Sequence, residues 1–296
     1  MFCSEPELMY NGFMRVQDLL EQAVNLLERA GCPEPRLDSL LLLSHATGMK
    51  KEWLLAHPDA QVEEEKRLIF FSLLDRRLKR EPLPYILGRI EFYGITLRVD
   101  QRALIPRPET EILVDKVLEW AKSLPRLTIA DVGTGSGAVA VVLALHLKDK
   151  AYIYALDSSP QALELARENA ILHGVEGNVR FLLSDLLLAL EEPVDAIVAN
   201  LPYIPTAQLE KLAPELHWEP REALDGGSDG LESIRKLLSQ APNYLKERGA
   251  IFLEVGSGQA RSVKALARRI FPSAHITSFP DLRGIKRVVR VENAFP

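Results

Sequence analysis

The most constraining feature of the sequence is a glycine-rich loop that joins an apolar strand to an apolar helix. The segment Ile129-Ala-Asp-Val-Gly-Thr-Gly-Ser-Gly leads directly into Ala138-Val-Ala-Val-Val-Leu-Ala-Leu. Because Gly133, Gly135 and Gly137 lack a β-carbon, the backbone can turn tightly there and approach a ligand closely. Open α/β sheets bind ligands where the carboxyl ends of strands meet the amino ends of helices. The loop therefore predicts a ligand site on an α/β sheet.

The sequence beyond residue 108 alternates between strands and helices. We predict helices at 108–123, 137–147, 160–173, 231–245 and 259–270, and strands at 127–131, 151–157, 179–183, 196–199, 250–255, 274–279 and 286–291. Such alternation indicates right-handed crossovers onto a mostly parallel sheet that is covered on both faces. The last two strands are joined by Pro280-Asp-Leu-Arg-Gly, which is too short for a crossover helix. The predicted fold class is thus an α/β doubly wound sheet, mostly parallel, with an antiparallel last strand.

A different pattern precedes this alternation. Between Val16 and about Lys79, apolar residues recur at intervals of three and four positions, interrupted by two segments rich in Pro and Gly. This pattern predicts a small domain of at least three helices. Two short apolar and aromatic runs around Gly94 then predict a β-hairpin or an extended linker. We expect a helical domain at 1–88, a linker at 89–100 and the sheet domain at 101–296.

Composition narrows the class of protein. The 296 residues are 47% hydrophobic and 26% charged, as in a globular protein that buries a core. The formal net charge of -5 gives no global field that attracts a nucleic acid. Cys3 and Cys32 lack disulfide or metal-ligand spacing, and the six histidines are scattered, so we expect a reducing compartment, the cytoplasm, and no metal.

The sequence also lacks the features of a membrane or secretory segment. The first 14 residues have no basic start and no apolar stretch, so they do not resemble a secretory signal, and we expect them to be frayed. The longest leucine run, at 40–43, is far too short to span a bilayer. We therefore expect no contact with a membrane.

Acidic residues near the ends of two strands define the ligand further. Asp157 ends the strand after the glycine loop, about 20 residues past the last glycine, where a carboxylate can accept both hydroxyls of a ribose. This spacing predicts a cofactor that contains adenosine. Asp131 either binds the amino group of that cofactor, which we favour, or caps the following turn. The loop alone also fits a dinucleotide fingerprint, because that pattern accepts Ala138 as its third member.

The tetrapeptide after the strand at 196–199 indicates the reaction. Asn200-Leu201-Pro202-Tyr203 follows a strand that should neighbour the glycine-loop strand, which brings it close to the cofactor. An amide or aryl NH2 has a delocalised lone pair and needs hydrogen bonds that align it with an electrophile. The Asn200 side-chain oxygen and the Leu201 carbonyl are suited to accept its two protons. Pro202 restricts the backbone of Leu201, and Tyr203 offers a flat face to a planar group.

A simpler explanation of the tetrapeptide is a strand that ends at Pro202, with Asn200 capping a turn. Against it, the four residues resemble the motif of S-adenosylmethionine-dependent methyltransferases that modify planar nitrogens. Further segments resemble the HemK-type protein glutamine methyltransferases, in order and spacing, from about Pro82 to the C-terminus. They are Pro82-Leu-Pro-Tyr-Ile-Leu-Gly, Glu91-Phe-Tyr-Gly, Leu104-Ile-Pro-Arg-Pro-Glu-Thr-Glu and Glu219-Pro-Arg-Glu-Ala-Leu-Asp-Gly-Gly-Ser-Asp-Gly-Leu. A helical N-terminal domain is also a feature of that family.

The resemblance implies a reaction and a set of site residues. It implies methylation of the glutamine amide in the Gly-Gly-Gln motif of class I peptide release factors, with S-adenosylmethionine as cofactor. The implied cofactor-binding residues are Asp131, Val132, Gly133, Thr134, Gly135, Asp157, Leu186 and Asn200. The implied catalytic and substrate-binding residues are Asn200, Leu201, Pro202 and Tyr203. Leu186 stands where relatives often have an aromatic cofactor contact, and Leu201 stands where they usually carry Pro.

The sequence leaves three other functions open. Asn-Leu-Pro-Tyr also resembles the motif of rRNA adenine dimethylases, so an adenine N6-methyltransferase acting on RNA or DNA is the alternative within the same class. It requires a basic or aromatic groove, and Asp75-Arg-Arg-Leu-Lys-Arg is the only obvious basic cluster of the helical domain. The others are a nicotinamide-dependent oxidoreductase and a binding module without catalysis. The expected partners are release factors, with no direct nucleic acid substrate, and the chain is expected to be a monomer.

Overall fold

The computed structural model describes residues 14–293 of the chain. The predicted fraying of the first residues concerns a segment that lies almost entirely outside this range. The chain divides into two compact units, Met1–Leu87 and Gly88–Pro296. The hairpin that the sequence predicted as a linker belongs to the second unit.

The first unit is a small helical domain. Its described elements are β1 (Met14–Arg15), α1 (Val16–Arg29), α2 (Pro35–Thr47), α3 (Lys51–Ala56), β2 (Gln61–Val62), α4 (Glu64–Leu78) and α5 (Leu83–Leu87), with β1 antiparallel to β2. Apolar residues spaced at three and four positions face one shared core, which includes Leu19, Leu27, Leu42 and Phe70. The Cys32 side chain is also buried there. The prediction of a helical N-terminal domain is confirmed.

The second unit begins with the hairpin of β3 (Arg89–Phe92) and β4 (Ile95–Arg98), which excludes the extended linker that the sequence left open. Tyr93 and Gly94 form its two-residue turn, both with positive φ, as the tight hairpin turn requires. The other elements are α6 (Thr110–Ala121), β5 (Leu127–Val132), α7 (Ala138–Leu147), β6 (Ala151–Asp157), α8 (Pro160–Leu172), β7 (Val179–Leu183), β8 (Val194–Ala199), α9 (Glu232–Gln240), β9 (Leu245–Glu254), α10 (Ala260–Ile270), β10 (His275–Pro280) and β11 (Lys286–Glu292).

Seven of these strands form one sheet in the order β10-β11-β9-β8-β5-β6-β7. The β5 strand pairs in parallel with β6 on one side and with β8 on the other, so the strand order reverses beside it. The last strand, β11, lies antiparallel between β9 and β10. The prediction of a mostly parallel sheet with an antiparallel last strand is confirmed. Ligands of such sheets bind at the reversal point, beyond the carboxyl ends of the strands.

Side chains alternate between two hydrophobic clusters, one on each face of the sheet. Along β5, Ile129 joins the cluster that contains α6 and α7, whereas Ala130 and Val132 join the cluster that contains α9 and α10. Residues 138–144 of α7 are all buried, which explains why this helix is apolar on every side. Both ends of the glycine loop are therefore anchored in the core.

One helix prediction was wrong at its carboxyl end. The helix predicted at 231–245 ends at Gln240, a 3₁₀ turn follows at Ala241–Asn243, and β9 begins at Leu245, five residues before the predicted strand. Pro242 explains the break, because it cannot donate the helical hydrogen bond and its ring clashes with the preceding turn. Leu245 instead pairs with Val194 at the start of β8.

Candidate functional site

A cavity of about 280 Å³ lies at the carboxyl ends of β5, β6 and β8. Its volume is close to the lower end of the range of roughly 300–1,000 Å³ that is usual for small-molecule sites. The predicted site residues that line it are Asp131, Val132, Gly133, Thr134, Gly135, Asp157, Leu186, Asn200, Leu201 and Pro202. Tyr203 is not among the lining residues. The structure therefore brings all but one of the predicted site residues to a single cavity.

The three glycines of the loop serve different geometric needs. Gly133 and Gly137 have φ values of 70° and 79°, which favour glycine. A β-carbon on Gly133 would lie 3.0 Å from the Leu201 side chain, so this glycine allows β5 and the tetrapeptide to approach each other. A β-carbon on Gly137 would lie 2.9 Å from that of Ala166, so this glycine allows α7 to pack on α8. The loop shape is thus required by packing as well as by ligand access.

Asp131 is buried beneath the loop. Its Oδ2 atom accepts hydrogen bonds from the Thr134 hydroxyl at 2.6 Å and from the amide of Ala140, in the first turn of α7, at 3.1 Å. Burial raises the pKa of Asp131 to about 7. The capping role that the sequence left open is therefore present. A binding role toward the cofactor remains a proposal, although the side chain also lines the cavity.

Asp157 links the end of β6 to the glycine loop. Its Oδ2 atom accepts a hydrogen bond from the Gly135 amide at 2.9 Å, and its Oδ1 atom accepts one from the Ser159 amide at 2.9 Å. Burial raises the pKa of Asp157, against the opposing effect of these backbone donors. A carboxylate offers about four acceptor positions, so further positions can accept hydroxyl groups of a ligand.

Leu186 lies at the opposite side of the same cavity in a constrained turn. Its φ of 55° is uncommon for a branched residue. The Ser184 hydroxyl donates a hydrogen bond to the Leu186 carbonyl at 2.7 Å and accepts one from the Ala189 amide at 3.0 Å. These bonds hold the turn and present an aliphatic side chain to the cavity.

Asn200 follows β8 directly, and β8 neighbours β5 as predicted. Its Nδ2 atom donates a hydrogen bond to the Thr110 hydroxyl at 3.1 Å. That hydroxyl in turn donates to Oε2 of Glu254 at 2.7 Å. The tetrapeptide is thus tied to the amino end of α6 and the carboxyl end of β9.

Sequence reasoning missed Glu254. This residue ends an apolar strand at the same edge of the sheet as Asp157, and that shared pattern is the signal that could have identified it. It is almost completely buried, and burial raises its pKa to about 7. Thr110 also lines the cavity, in a segment that the sequence analysis noted only for its family likeness.

Two loops that flank the cavity are also joined by a residue that sequence reasoning did not single out. Glu219 accepts hydrogen bonds from the Arg107 guanidinium at 2.5 Å and from the Ile105 amide at 3.0 Å. Pro106 from one loop and Pro220 from the other line the cavity. A buried acid therefore holds together two loops that line the cavity.

The cavity suits S-adenosylmethionine in its chemistry. The Ser136 hydroxyl lines it and is buried without a hydrogen-bond partner among the described residues, which leaves it able to bond a ligand. The carboxyl groups of Asp131, which is buried, and Asp157, which is partly buried, also line the cavity. Across residues 14–293, no group of three or more His, Cys, Asp or Glu residues is arranged to hold a metal ion. Nor does any helix in this range have the length and apolarity needed to cross a membrane.

The sheet order, the glycine loop and the acidic residues around one cavity define an S-adenosylmethionine-dependent methyltransferase. The sequence is 41% identical to the release factor glutamine methyltransferase of Moorella thermoacetica, over 93% of this chain and 97% of that protein. It is 38% identical to that of Deinococcus radiodurans, over 95% of this chain and 99% of that protein. The chain therefore belongs to the release factor glutamine methyltransferase family.

Family models and solved structures agree with this assignment. The PrmC N-terminal domain matches residues 18–88, and a methyltransferase domain matches residues 124–251. The hMettl16 catalytic domain in complex with MAT2A 3'UTR hairpin 6 has a TM-score of 0.57 at 15% identity, covering 75% of this chain and 82% of that chain. A methyltransferase from Pyrococcus furiosus has a TM-score of 0.50 at 17% identity, covering 69% and 91%. At these identities, the two structures show the fold alone.

The family assignment removes two of the alternatives that the sequence left open. A nicotinamide-dependent oxidoreductase and a binding module without catalysis both disagree with membership of a methyltransferase family. The glycine pattern that suggested a dinucleotide is shared by the two classes of enzyme, so the loop alone could not separate them.

Proposed function

We propose that this chain transfers a methyl group from S-adenosylmethionine to the side-chain amide nitrogen of the glutamine in the Gly-Gly-Gln motif of class I peptide release factors. The observation that carries the proposal is the Asn200 side chain, which lines the same cavity as Asp131 and Asp157 and has its amino group bonded to Thr110. The names of the relatives in the same family support the substrate.

When bound, S-adenosylmethionine would supply an electrophilic methyl group on its sulfonium sulfur, which would keep the electron pair of the broken sulfur–carbon bond. The methylated nitrogen would then lose one proton to solvent. Within the chain, the Asn200 amide oxygen and the Leu201 carbonyl accept the two N–H groups of the substrate amide. These bonds orient the weakly nucleophilic nitrogen, which is the main contribution that a site without a strong base can make. Pro202 restricts the conformation of Leu201.

Tyr203 has a different position from the other three residues of the motif. It does not line the cavity, and its hydroxyl lies close enough to Glu254 to lower the pKa of that carboxyl group. Burial raises the pKa of Tyr203 to about 12, so its hydroxyl stays neutral at physiological pH. We keep its proposed role as a flat surface for the glutamine side chain, because the residue is only partly buried.

The proposed cofactor contacts follow from the groups at the cavity. Asp157 accepts the ribose hydroxyls, and Asp131 attracts the cationic amino group. Leu186 packs against the adenine as an aliphatic side chain, without ring stacking. The backbone of Val132 to Gly135 approaches the amino-acid part, and the Ser136 hydroxyl gains the partner that it lacks in the described residues.

We also propose that the helical domain (1–88) and the methyltransferase domain (101–296) have different roles and that the hairpin at 89–100 links them. The helical part recognises the release factor, which the match to the PrmC N-terminal domain supports. The chain acts as a monomer in the cytoplasm, a reducing compartment in which the Cys32 thiol does not form a disulfide. It has no direct nucleic acid substrate, in agreement with the formal charge of -5.

The test is a transfer assay with purified chain, labelled S-adenosylmethionine and a release factor. We expect one methyl group on the glutamine of Gly-Gly-Gln, located by mass spectrometry, and none on the version of the factor in which that glutamine is Ala. The Asn200→Ala chain should lose most of the activity. Equal labelling of both factors would refute the proposal. Label that disappears after nuclease treatment would favour an adenine N6-methyltransferase instead.

A further inference from the structure

We propose that Thr110 and Glu254 are positioning residues that determine which end of the Asn200 amide faces the substrate. The inference rests on the proposed function, because it assigns a purpose to the acceptor role of Asn200. Neither residue belongs to the tetrapeptide, and they come from α6 and β9, elements that are far from it in sequence.

The geometry forms a continuous chain of three side chains. The Asn200 amino group lies 3.1 Å from the Thr110 hydroxyl, which lies 2.7 Å from Oε2 of Glu254. Thr110 is 4% exposed and Glu254 is 1% exposed, so water competes weakly for these bonds. This chain of hydrogen bonds, called the relay below, therefore lies in the protein interior and is protected from solvent.

The number of protons on each group determines which group donates and which accepts in the relay. A hydroxyl has one proton to donate, and an ionised carboxylate can only accept. With Glu254 ionised, the Thr110 proton must point to Glu254, and its oxygen is left to accept a hydrogen bond. Asn200 can satisfy that acceptor only with its amino group, so its amide oxygen turns the other way.

That orientation is the one the proposed reaction needs. The substrate amide nitrogen carries two N–H donors, so it requires acceptors. If the Asn200 amide were reversed, an NH2 group would meet an NH2 group and no hydrogen bond would form. The two ends of an asparagine amide have nearly the same shape, and packing alone separates them poorly. A hydrogen-bond relay of fixed direction distinguishes the two orientations of the Asn200 amide, which packing does not.

The surroundings of Glu254 control how firmly the relay is set. Burial opposes the ionisation of Glu254 and raises its pKa to about 7, and the Thr110 hydrogen bond lowers this pKa. Glu109 also raises it, whereas Arg287 and the nearby Tyr203 hydroxyl lower it. Arg287 is itself shared, lying 3.0 Å from Asp281 and 3.9 Å from Glu109. A protonated Glu254 could donate to Thr110 and allow the relay to reverse. The fixed direction is consequently expected to weaken below about pH 7.

The first test compares Thr110→Val with Thr110→Ser in the intact chain, using kcat and KM for a release factor. Valine keeps the shape and removes the hydroxyl, so kcat should fall about tenfold to a hundredfold with little change in KM, as when an orienting hydrogen bond is lost. Serine keeps the hydroxyl and should restore kcat to within about threefold of the unmodified chain.

A matched control is available at the other end of the same sheet. Thr128 also donates its hydroxyl to a carboxylate, Asp195, at 2.9 Å, and it does not line the cavity. Thr128→Val makes the same chemical change outside the site, and it should leave kcat within about twofold. Circular dichroism and thermal unfolding of all three variants distinguish a folding defect from a positioning defect.

The second test asks whether Thr110 acts through Asn200. In single-turnover labelling, Thr110→Val should slow the Asn200→Ala enzyme much less than it slows the unmodified one, because there is no longer an amide to orient. In addition, Glu254→Gln should remove most of the fall in kcat between pH 8 and pH 6. Equal effects of Thr110→Val in both backgrounds, or a Thr110→Ser chain as slow as Thr110→Val, would overturn the inference.

These outcomes are separate from those of the proposed function. If the unmodified chain labels no release factor at its Gly-Gly-Gln glutamine, the function itself fails. If the unmodified chain labels that glutamine and Thr110→Val is no slower than Thr128→Val, only the positioning role of Thr110 fails.

Discussion

Arg107 and Glu219 form an ion pair of 2.5 Å that joins two loops on either side of the candidate active site. The Glu219 side chain is almost completely buried, whereas Arg107 is about one-third exposed. Glu219 also accepts the Ile105 amide at 3.0 Å, so both of its oxygens are engaged. Glu219 therefore joins two walls of the cavity, the loop that contains Leu104 and Pro106 and the loop that contains Pro220 and Ala223.

Arg107→Ala should destabilise the chain because it leaves a buried carboxylate with a single partner. Breaking a fully buried pair costs roughly 3–5 kcal/mol, and the exposure of Arg107 reduces the expected loss to about 1–3 kcal/mol. Urea unfolding measures the loss, and amide hydrogen exchange should increase across 219–227.

The control is Arg235→Ala, which breaks an ion pair with Asp229 of 2.7 Å on the surface. Solvent and salt screen exposed pairs, so this change should have little effect on unfolding. If Arg107→Ala is no more destabilising than Arg235→Ala, the two walls do not depend on Glu219.

Asp131 predicts a pH dependence of cofactor affinity. Burial raises its pKa to about 7, so the carboxyl group is mostly neutral at pH 6 and mostly ionised at pH 8. An ionised Asp131 attracts a cationic ligand, and the affinity for S-adenosylhomocysteine should rise with pH by up to roughly tenfold over this range. Isothermal titration calorimetry at several pH values provides the measurement.

The matched change is Asp131→Asn, which keeps the shape and removes the titration. It should bind more weakly at pH 8, with a smaller change of affinity between pH 6 and pH 8. An unchanged slope in Asp131→Asn would show that other groups cause the pH dependence.

The same carboxyl groups affect stability with a definite sign. The pKa values of Asp131 and Glu254 are raised in the folded state, so folding favours their protonated forms. Their stabilising contribution is complete below the unfolded pKa near 4 and is lost as pH rises through about 7. The free energy of unfolding of the chain without cofactor should therefore fall between pH 5 and pH 7.5. The fall should be smaller in Glu254→Gln.

Most of the fold was predictable from the sequence, because the signals were local. The apolar runs at β5 and β6 and the Pro160 start of α8 fix those elements with little help from their neighbours. The start of β9 was not predictable in the same way, although Pro242 was a local signal for the end of α9. Apolar residues around Leu245 fit a helix or a strand, and only their pairing with β8 decides between the two.

The residues of the candidate site also differ in how far the sequence predicted them. Asp131, Asp157 and Asn200 directly follow or end strands that neighbour one another, so strand order was enough to bring them together. Thr110 and Glu254 meet Asn200 from elements that are far away in sequence, and their side-chain contacts depend on the packed structure. The acid that ends β9 was a local signal for Glu254, but no local pattern predicts its contact with Thr110.

Gly137 provides a test of the loop geometry. Gly137→Ala would place a β-carbon 2.9 Å from Ala166 at a φ of 79°. The positive φ costs about 1–2 kcal/mol for alanine, and the clash with α8 adds roughly 1–3 kcal/mol. Gly258→Ala is the control, since its φ is 83° but nothing lies within 4 Å of the added β-carbon. Thermal and urea unfolding should separate the two variants by the clash alone, and equal stabilities would contradict the packing argument.

We expect replacement of Leu186 by an aromatic residue to increase the affinity for the cofactor. It lines the cavity, and its turn is held by Ser184. Leu186→Phe should add stacking on the adenine worth about 0.5–1.5 kcal/mol, which corresponds to a roughly twofold to tenfold lower Kd for S-adenosylhomocysteine. Leu188→Phe is the control, because Leu188 is exposed in the same segment and does not line the cavity. If both substitutions leave the Kd unchanged while the chain still binds the cofactor, Leu186 does not contact the adenine.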